Sequence, residues 1–245
     1  GHIFLAGEAP GLFYGYVTQG IVQKEDITEN GIKYIKQDGS VGYYQTVNKT
    51  TPVAGDVKYV DRNGDGVVDD NDRDIIGNPN PDFTYGFQTK VSWKSLSLSA
   101  SFNGVQGRDI LNVGNRYNNT PGTKSNNVTR KAFQNMWTDE NPSNLYPKST
   151  FVVQNMVMDR YVEDGSYLRC SDITLSYVLP AKWTNKIGIK NTSVYASVKN
   201  AFVITDYSGY DPEVNSFAFD GLRPGVDMNS YPTPRSFVFG LNLTF

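Results

Sequence analysis

The last ten residues, SFVFGLNLTF (236–245), alternate without a break, and this alternation constrains the fold more than any other stretch. Successive side chains of a strand point to opposite faces. Phe237, Phe239, Leu241, Leu243 and Phe245 therefore share one side, and Ser236, Val238, Gly240, Asn242 and Thr244 the other. One side is large and apolar; the other is small or polar. In TYGFQTKVSW, Tyr85, Phe87, Val91 and Trp93 oppose Gly86, Gln88, Lys90 and Ser92. In LSLSASFNGV, Leu96, Leu98, Ala100 and Phe102 oppose Ser97, Ser99, Ser101 and Asn103. Only Lys94 and Ser95 separate these two runs, which predicts a tight hairpin. Ile173, Leu175, Tyr177 and Leu179 form another stripe, from whose register Leu168 and Cys170 slip, so a bulge is expected near Ser171–Asp172. Val194, Ala196, Val198, Phe202 and Ile204 form the last stripe.

Composition narrows the chemistry. With 16 tyrosines, 13 phenylalanines, 23 glycines and only 20% charged residues, the 245-residue chain favours β structure with many turns, as one large domain or two ordinary ones. A net charge of −2 without a Lys/Arg cluster argues against a nucleic-acid partner. The single cysteine, Cys170, excludes an internal disulfide, and the single histidine, His2, argues against a His-based triad or a zinc cluster. No GxSxG, P-loop or glycosidase-like constellation appears, so no enzyme is expected. No apolar run reaches the roughly 18 residues of a spanning helix. That excludes helical membrane proteins only, because a membrane β-barrel hides its lipid face in alternation. The opening GHIFLAGEAPG lacks the basic start and apolar stretch of a signal peptide, which suits a mature form or a chain that begins partway through a larger protein.

Connection lengths point toward that barrel. Residues 94–95 and 180–192 make the shorter links, and 106–166 and 206–235 the long ones. Compact domains rarely hold several structureless connections above roughly 15 residues, whereas outer-membrane barrels place long loops outside and short turns in the periplasm. With Phe245 at the periplasmic end, every long connection is extracellular. The expected fold is all-β, with antiparallel up-and-down strands. Leu241 falls near mid-strand on the outward face, where arginine costs on the order of 2–4 kcal/mol, and Asn242 points inward, where it costs far less.

The loop DRNGDGVVDDND (61–72) follows EF-hand spacing. Asp61, Asn63 and Asp65 take the first, third and fifth positions, Gly66 the turn, the Val67 carbonyl the seventh, Asp69 the ninth and Asp72 the twelfth. A structural Ca2+ ion is the expected cofactor, stiffening a loop of like charges. Asp72 in place of the usual Glu shortens the reach and weakens binding. SGYDPEV (208–214) and NPNPDF (78–83) carry tyrosines and acids of the kind that stack on and hydrogen-bond sugars, with Tyr207, Tyr210 and Asp211 as candidate ligand or partner contacts. Their Pro, Gly and Asp content fits ordinary loops as well. Tyr43, Tyr44, Trp137 and Tyr146 read as exposed loop aromatics, and KAFQNMWTDENP (131–142) as a short helix capped by acids and stopped by Pro142.

YVDRNGDGVVDDNDRDIIGNPNPDFTYGFQTKVSW followed by LSLSASFNGVQGRDILN resembles the C-terminal part of SusC/RagA-type TonB-dependent outer-membrane transporters. GLFYGYVTQGI (11–21), YVEDGSYLRCSDITLSYVLP (161–180), VKNAFVITDYSGYDPEV (198–214) and YPTPRSFVFGLNLTF (231–245) extend the resemblance over essentially the whole chain. It implies a 22-stranded parent barrel in the outer membrane of a Gram-negative bacterium. It further implies import of glycans or peptides powered by the TonB complex, with a SusD-like lipoprotein closing the top. The plug and TonB box of such transporters have no room here, and about five strands cannot close a barrel. Residues 1–83 are expected to form an extracellular loop region with the calcium-type loop, including short strands such as GIKYIKQ (31–37), and 84–245 the C-terminal barrel strands. The alternative is a secreted, calcium-stabilised β-sandwich serving as a binding or adhesion module.

Overall fold

The computed structural model describes residues 1–120, 127–149, 156–184, 189 and 191–244. The chain divides into two compact units. Pro81–Arg108, Asp164–Val214 and Tyr231–Phe245 make one; Gly1–Asn80, Asp109–Glu163 and Asn215–Ser230 make the other.

The first is a five-stranded antiparallel sheet in simple up-and-down order. Its strands are β1 (Phe83–Trp93), β2 (Leu96–Gln106), β3 (Tyr167–Val178), β4 (Asn191–Thr205) and β5 (Ser236–Thr244). β1 and β2 form the tight hairpin, with Lys94 at φ 55° in the turn. The stripes align across all five strands: Val91 stands opposite Leu98, Leu98 opposite Leu175, Leu175 opposite Ala196 and Ala196 opposite Phe239. The expected bulge is present, because Ser101 pairs with Asp172 and Phe102 with Cys170, leaving Ser171 as the extra residue. That one residue returns Cys170 and Leu168 to the face of Ile173. A matching irregularity lies in β4 at Asn200, whose φ is 52°.

One face of this sheet is apolar and open: Phe239 is 79% exposed and Trp93 68%. The other carries serines, Thr174, Asn103 and a small charged cluster, in which Asp172 accepts from Ser197 Oγ at 2.7 Å and pairs with Lys199. Two cross-strand glycines sit beneath tyrosines. A Cβ on Gly240 would meet the Tyr195 ring at 2.2 Å, and one on Gly104 the Tyr85 ring at 2.3 Å. In both cases tyrosine and glycine are register partners, so the ring covers the gap a missing side chain leaves. Phe245 lies outside the described residues.

The second unit gathers three stretches of chain around one core. Short strands Leu12–Tyr16, Gly31–Ile35, Val41–Tyr44 and Val57–Tyr59 belong to small sheets of two or three strands, none of them joined to the five-stranded sheet. Phe13, Ile21, Tyr34, Tyr44, Tyr59 and Val68 are almost fully buried, joined by Leu111, Trp137, Met158 and Val226 from later stretches. Buried phenols need partners. Tyr34 donates to the Asp61 carbonyl at 2.8 Å, and the Tyr44 hydroxyl accepts from Tyr59 N at 3.1 Å.

Tyr44 and Trp137 are therefore core residues rather than exposed loop aromatics. Trp137 fixes its indole by donating from Nε1 to Gln23 Oε1 at 3.1 Å. Tyr146 is half-buried and Tyr43 exposed. The short helix runs only over Arg130–Asn135. It is capped by Thr129, whose hydroxyl accepts from Ala132 N at 3.2 Å, and it ends well before Pro142.

Candidate functional site

The acid-rich loop 61–72 lies in the second unit, between strand Val57–Tyr59 and strand Arg73–Gly77. Gly64 and Gly66 adopt φ of 78° and 85°, which is why glycine occupies both turns. The backbone then folds onto its own carboxylates. Asp61 accepts from Gly64 N at 2.7 Å with one oxygen and from Gly66 N at 2.8 Å with the other. Asp65 Oδ1 accepts from Val67 N at 2.9 Å, and Asn63 Oδ1 from Asp65 N at 2.9 Å. Asp72, fully buried, accepts from Arg62 N at 2.7 Å and Asp69 N at 2.8 Å. Asp69 caps the short helical turn Asp70–Asp72 by accepting from Asn71 N. Burial raises the Asp61 carboxyl above its ordinary range, opposed by the Gly66 and Gly64 N–H groups and reinforced by the Asp72 and Asp65 charges.

All the donors are oxygens, the chemistry calcium takes. Each Asp61 oxygen accepts one N–H and keeps a lone pair. Asp72 Oδ1 accepts from both Arg62 N and Asn63 N, while its Oδ2 accepts only from Asp69 N and likewise keeps a lone pair. Among the described residues no three His, Cys, Asp or Glu side chains converge on a common metal position.

The expected contact residues lie in the first unit, on the loop leaving β4. Tyr207 is 5% exposed and Asp211 3%, whereas Tyr210 is 74% exposed. Asp211 pairs with Arg169 Nη2 at 2.5 Å and accepts from Glu213 N at 2.9 Å and Thr233 N at 3.0 Å. Burial pushes its carboxyl up, but those N–H donors and the Arg169 guanidinium outweigh burial and hold it below the ordinary range. Glu213 pairs with Arg169 Nε at 2.8 Å and accepts from Tyr167 Oη at 2.6 Å. By register, Tyr167 and Arg169 belong to the polar face with Asn103, so the loop folds back over that face.

No protein-family model matches the chain. It is 33% identical over 248 residues to TonB-dependent receptor P3 of Formosa agariphila, across 99% of this chain and 23% of the relative. To TonB-dependent receptor SusC of Bacteroides thetaiotaomicron it is 34% identical over 194 residues, across 76% of this chain and 17% of that protein. A solved structure of the RagAB peptide importer in an open-open state superposes with a TM-score of 0.65 at 26% identity, covering 96% of this chain and 22% of that one. The chain is a partial SusC/RagA-type TonB-dependent receptor. It spans about a fifth of the length of the relatives it matches.

Arg169, Glu213 and Tyr167 of this receptor segment escaped the sequence reading. The available signal was the charge itself: an arginine inside an alternating strand requires a partner. Nothing local shows that the partner lies 42 residues away.

Proposed function

We propose that this chain supplies wall strands and an extracellular loop domain to a TonB-dependent transporter in the outer membrane of a Gram-negative bacterium. That transporter takes up glycans or other oligomeric nutrients with a SusD-like surface lipoprotein, and couples to the TonB complex through sequence outside this chain. The five-stranded sheet carries the reading. Its apolar face is open across all five strands, its opposite face is polar, and among the described residues neither β1 nor β5 has a further strand on its outer edge. Hydrocarbon suits the first face and an aqueous lumen the second. Edges in hydrocarbon leave backbone groups unsatisfied, so β1 and β5 pair with further strands of a closed barrel. A sandwich would need a second layer over Phe239 and Trp93, which stand exposed.

Calcium bound by Asp61, Asn63, Asp65, the Val67 carbonyl, Asp69 and Asp72 belongs to the same proposal, supported by their spacing and all-oxygen chemistry. The ion would neutralise the acids and stiffen the loop.

Import is tested directly. Cells producing the full-length receptor should accumulate a labelled oligosaccharide pool or tryptic peptide pool only while the TonB complex is intact. Equal accumulation without TonB would refute the reading.

A further inference from the structure

We infer that Lys94, seated on Trp93 at the rim of the wall, is a phosphate contact for an anionic phospholipid. This rests on the wall reading above, and it concerns the end of the sheet that the short links place in the periplasm. Lys94 takes the first position of the two-residue turn between β1 and β2, with φ at 55°. Glycine and asparagine adopt that left-handed conformation readily; for most other residues it is strained. The turn's own geometry thus gives lysine no advantage over asparagine. The contact made by its side chain does. Lys94 Nζ lies 4.7 Å from the centre of the Trp93 ring, and among the described residues it forms no ion pair. Trp93 belongs to the apolar face and stands exposed. The turn therefore folds a cation back over the lipid side of the wall instead of out into water.

The register builds a surface around that cation. Trp93 stands opposite Leu96, and Leu96 opposite Tyr177, all three exposed on the apolar face. Leu96 is the smallest of the three. Trp93 and Tyr177 accordingly flank a shallow trough over β2, about 10 Å across at two interstrand spacings. A hydrogen bond from Val178 N to the Ser95 carbonyl at 2.8 Å ties the turn to the end of β3. An acyl chain suits the trough, and a headgroup the ammonium at its end. Tryptophan and tyrosine belong where apolar and wet surroundings meet.

Charge decides the headgroup. β1, β2 and β5 contain no aspartate or glutamate, and neither does the chain from Ile173 to Thr205. Asp82, Asp164, Asp206, Asp211 and Glu213 all lie toward the opposite end of the strands, with Asp172 mid-wall on the polar face. A phosphate diester at the Lys94 rim thus meets a cation with no competing carboxylate. The ammonium of a zwitterionic headgroup finds no acid there, so a headgroup of net negative charge is preferred.

The experiment uses the full-length receptor in detergent, with native mass spectrometry counting bound phosphatidylglycerol and phosphatidylethanolamine. Wild type should bind its first phosphatidylglycerol about fivefold more tightly than phosphatidylethanolamine. Lys94→Asn, which suits the turn, should remove that preference without lowering the melting temperature, and Lys94→Arg should keep it. Trp93→Ala should weaken phosphatidylglycerol binding about twofold to fivefold. An unchanged preference in Lys94→Asn, equal binding of the two lipids by wild type, or a fall in melting temperature that tracks the loss in Lys94→Asn would each overturn the inference. TonB-dependent accumulation, measured separately, tests the import reading: intact accumulation without a lipid preference sinks this inference alone.

Discussion

Arginine at Ile173 probes the two-faced wall most directly. Ile173 lies near the middle of β3, the central strand, with Ala100 beside it on β2 and Val198 on β4. The 11 residues of β1 rise roughly 34 Å along the strand, and a tilt of about 40° projects that to about 26 Å, close to the ~25 Å apolar band of outer-membrane barrels. Mid-strand positions therefore sit near the bilayer centre. Ile173→Arg should cost about 3 kcal/mol of folding free energy, more than a hundredfold in the equilibrium. Ser176→Arg, on the polar face between Ser97 and Tyr195, should cost well under 1 kcal/mol, because it meets water. Tyr177→Arg lies four residues further along the same face, about 10 Å nearer the interface, and should fall between the two. Denaturant titration of the full-length receptor refolded into lipid vesicles, followed by tryptophan fluorescence, measures all three. Equal losses in Ile173→Arg and Ser176→Arg would mean that both faces are similarly buried, and the wall assignment would fail.

Millimolar calcium should raise the melting temperature of the loop domain, and Asp65→Ala should abolish the increase; a calcium-insensitive wild type removes the ion from the account. Gly240→Ala should displace the Tyr195 ring and cost about 1–3 kcal/mol, part of which Tyr195→Ala restores in the double variant; an unchanged melting curve would show that the ring does not need that gap. The lowered Asp211 carboxyl stabilises the folded loop above the ordinary aspartate range and loses that contribution as pH falls through its own, lower titration range. Pepsin should therefore cut within 206–235 only once the pH falls below the ordinary aspartate range of about 4, and cutting already at about pH 5 would contradict the linkage.

The wall is readable because a strand repeats every two residues and β1 to β4 each run eleven residues or more. Such a run shows its period many times over, and even the one-residue slip at Ser171 stands out as a phase change. The loop domain defeats the same method. Its strands hold two to five residues, too few to define a period, and Leu12–Tyr16, with four of its five residues buried, does not alternate at all. Tyr44 and Trp137 looked like exposed loop aromatics because their burial depends on stretches brought together from across the chain, with Leu111 and Val226 closing the same core. Asp211 poses the sharper problem. An acid beside a tyrosine in a Pro/Gly loop has the same local signature whether it binds a ligand or an arginine. What decides between them is Arg169, whose own strand position demands a counter-charge. A buried charge in an alternating strand is therefore the cue to follow: its partner marks where a long loop is pinned, as Asp211 is by Arg169.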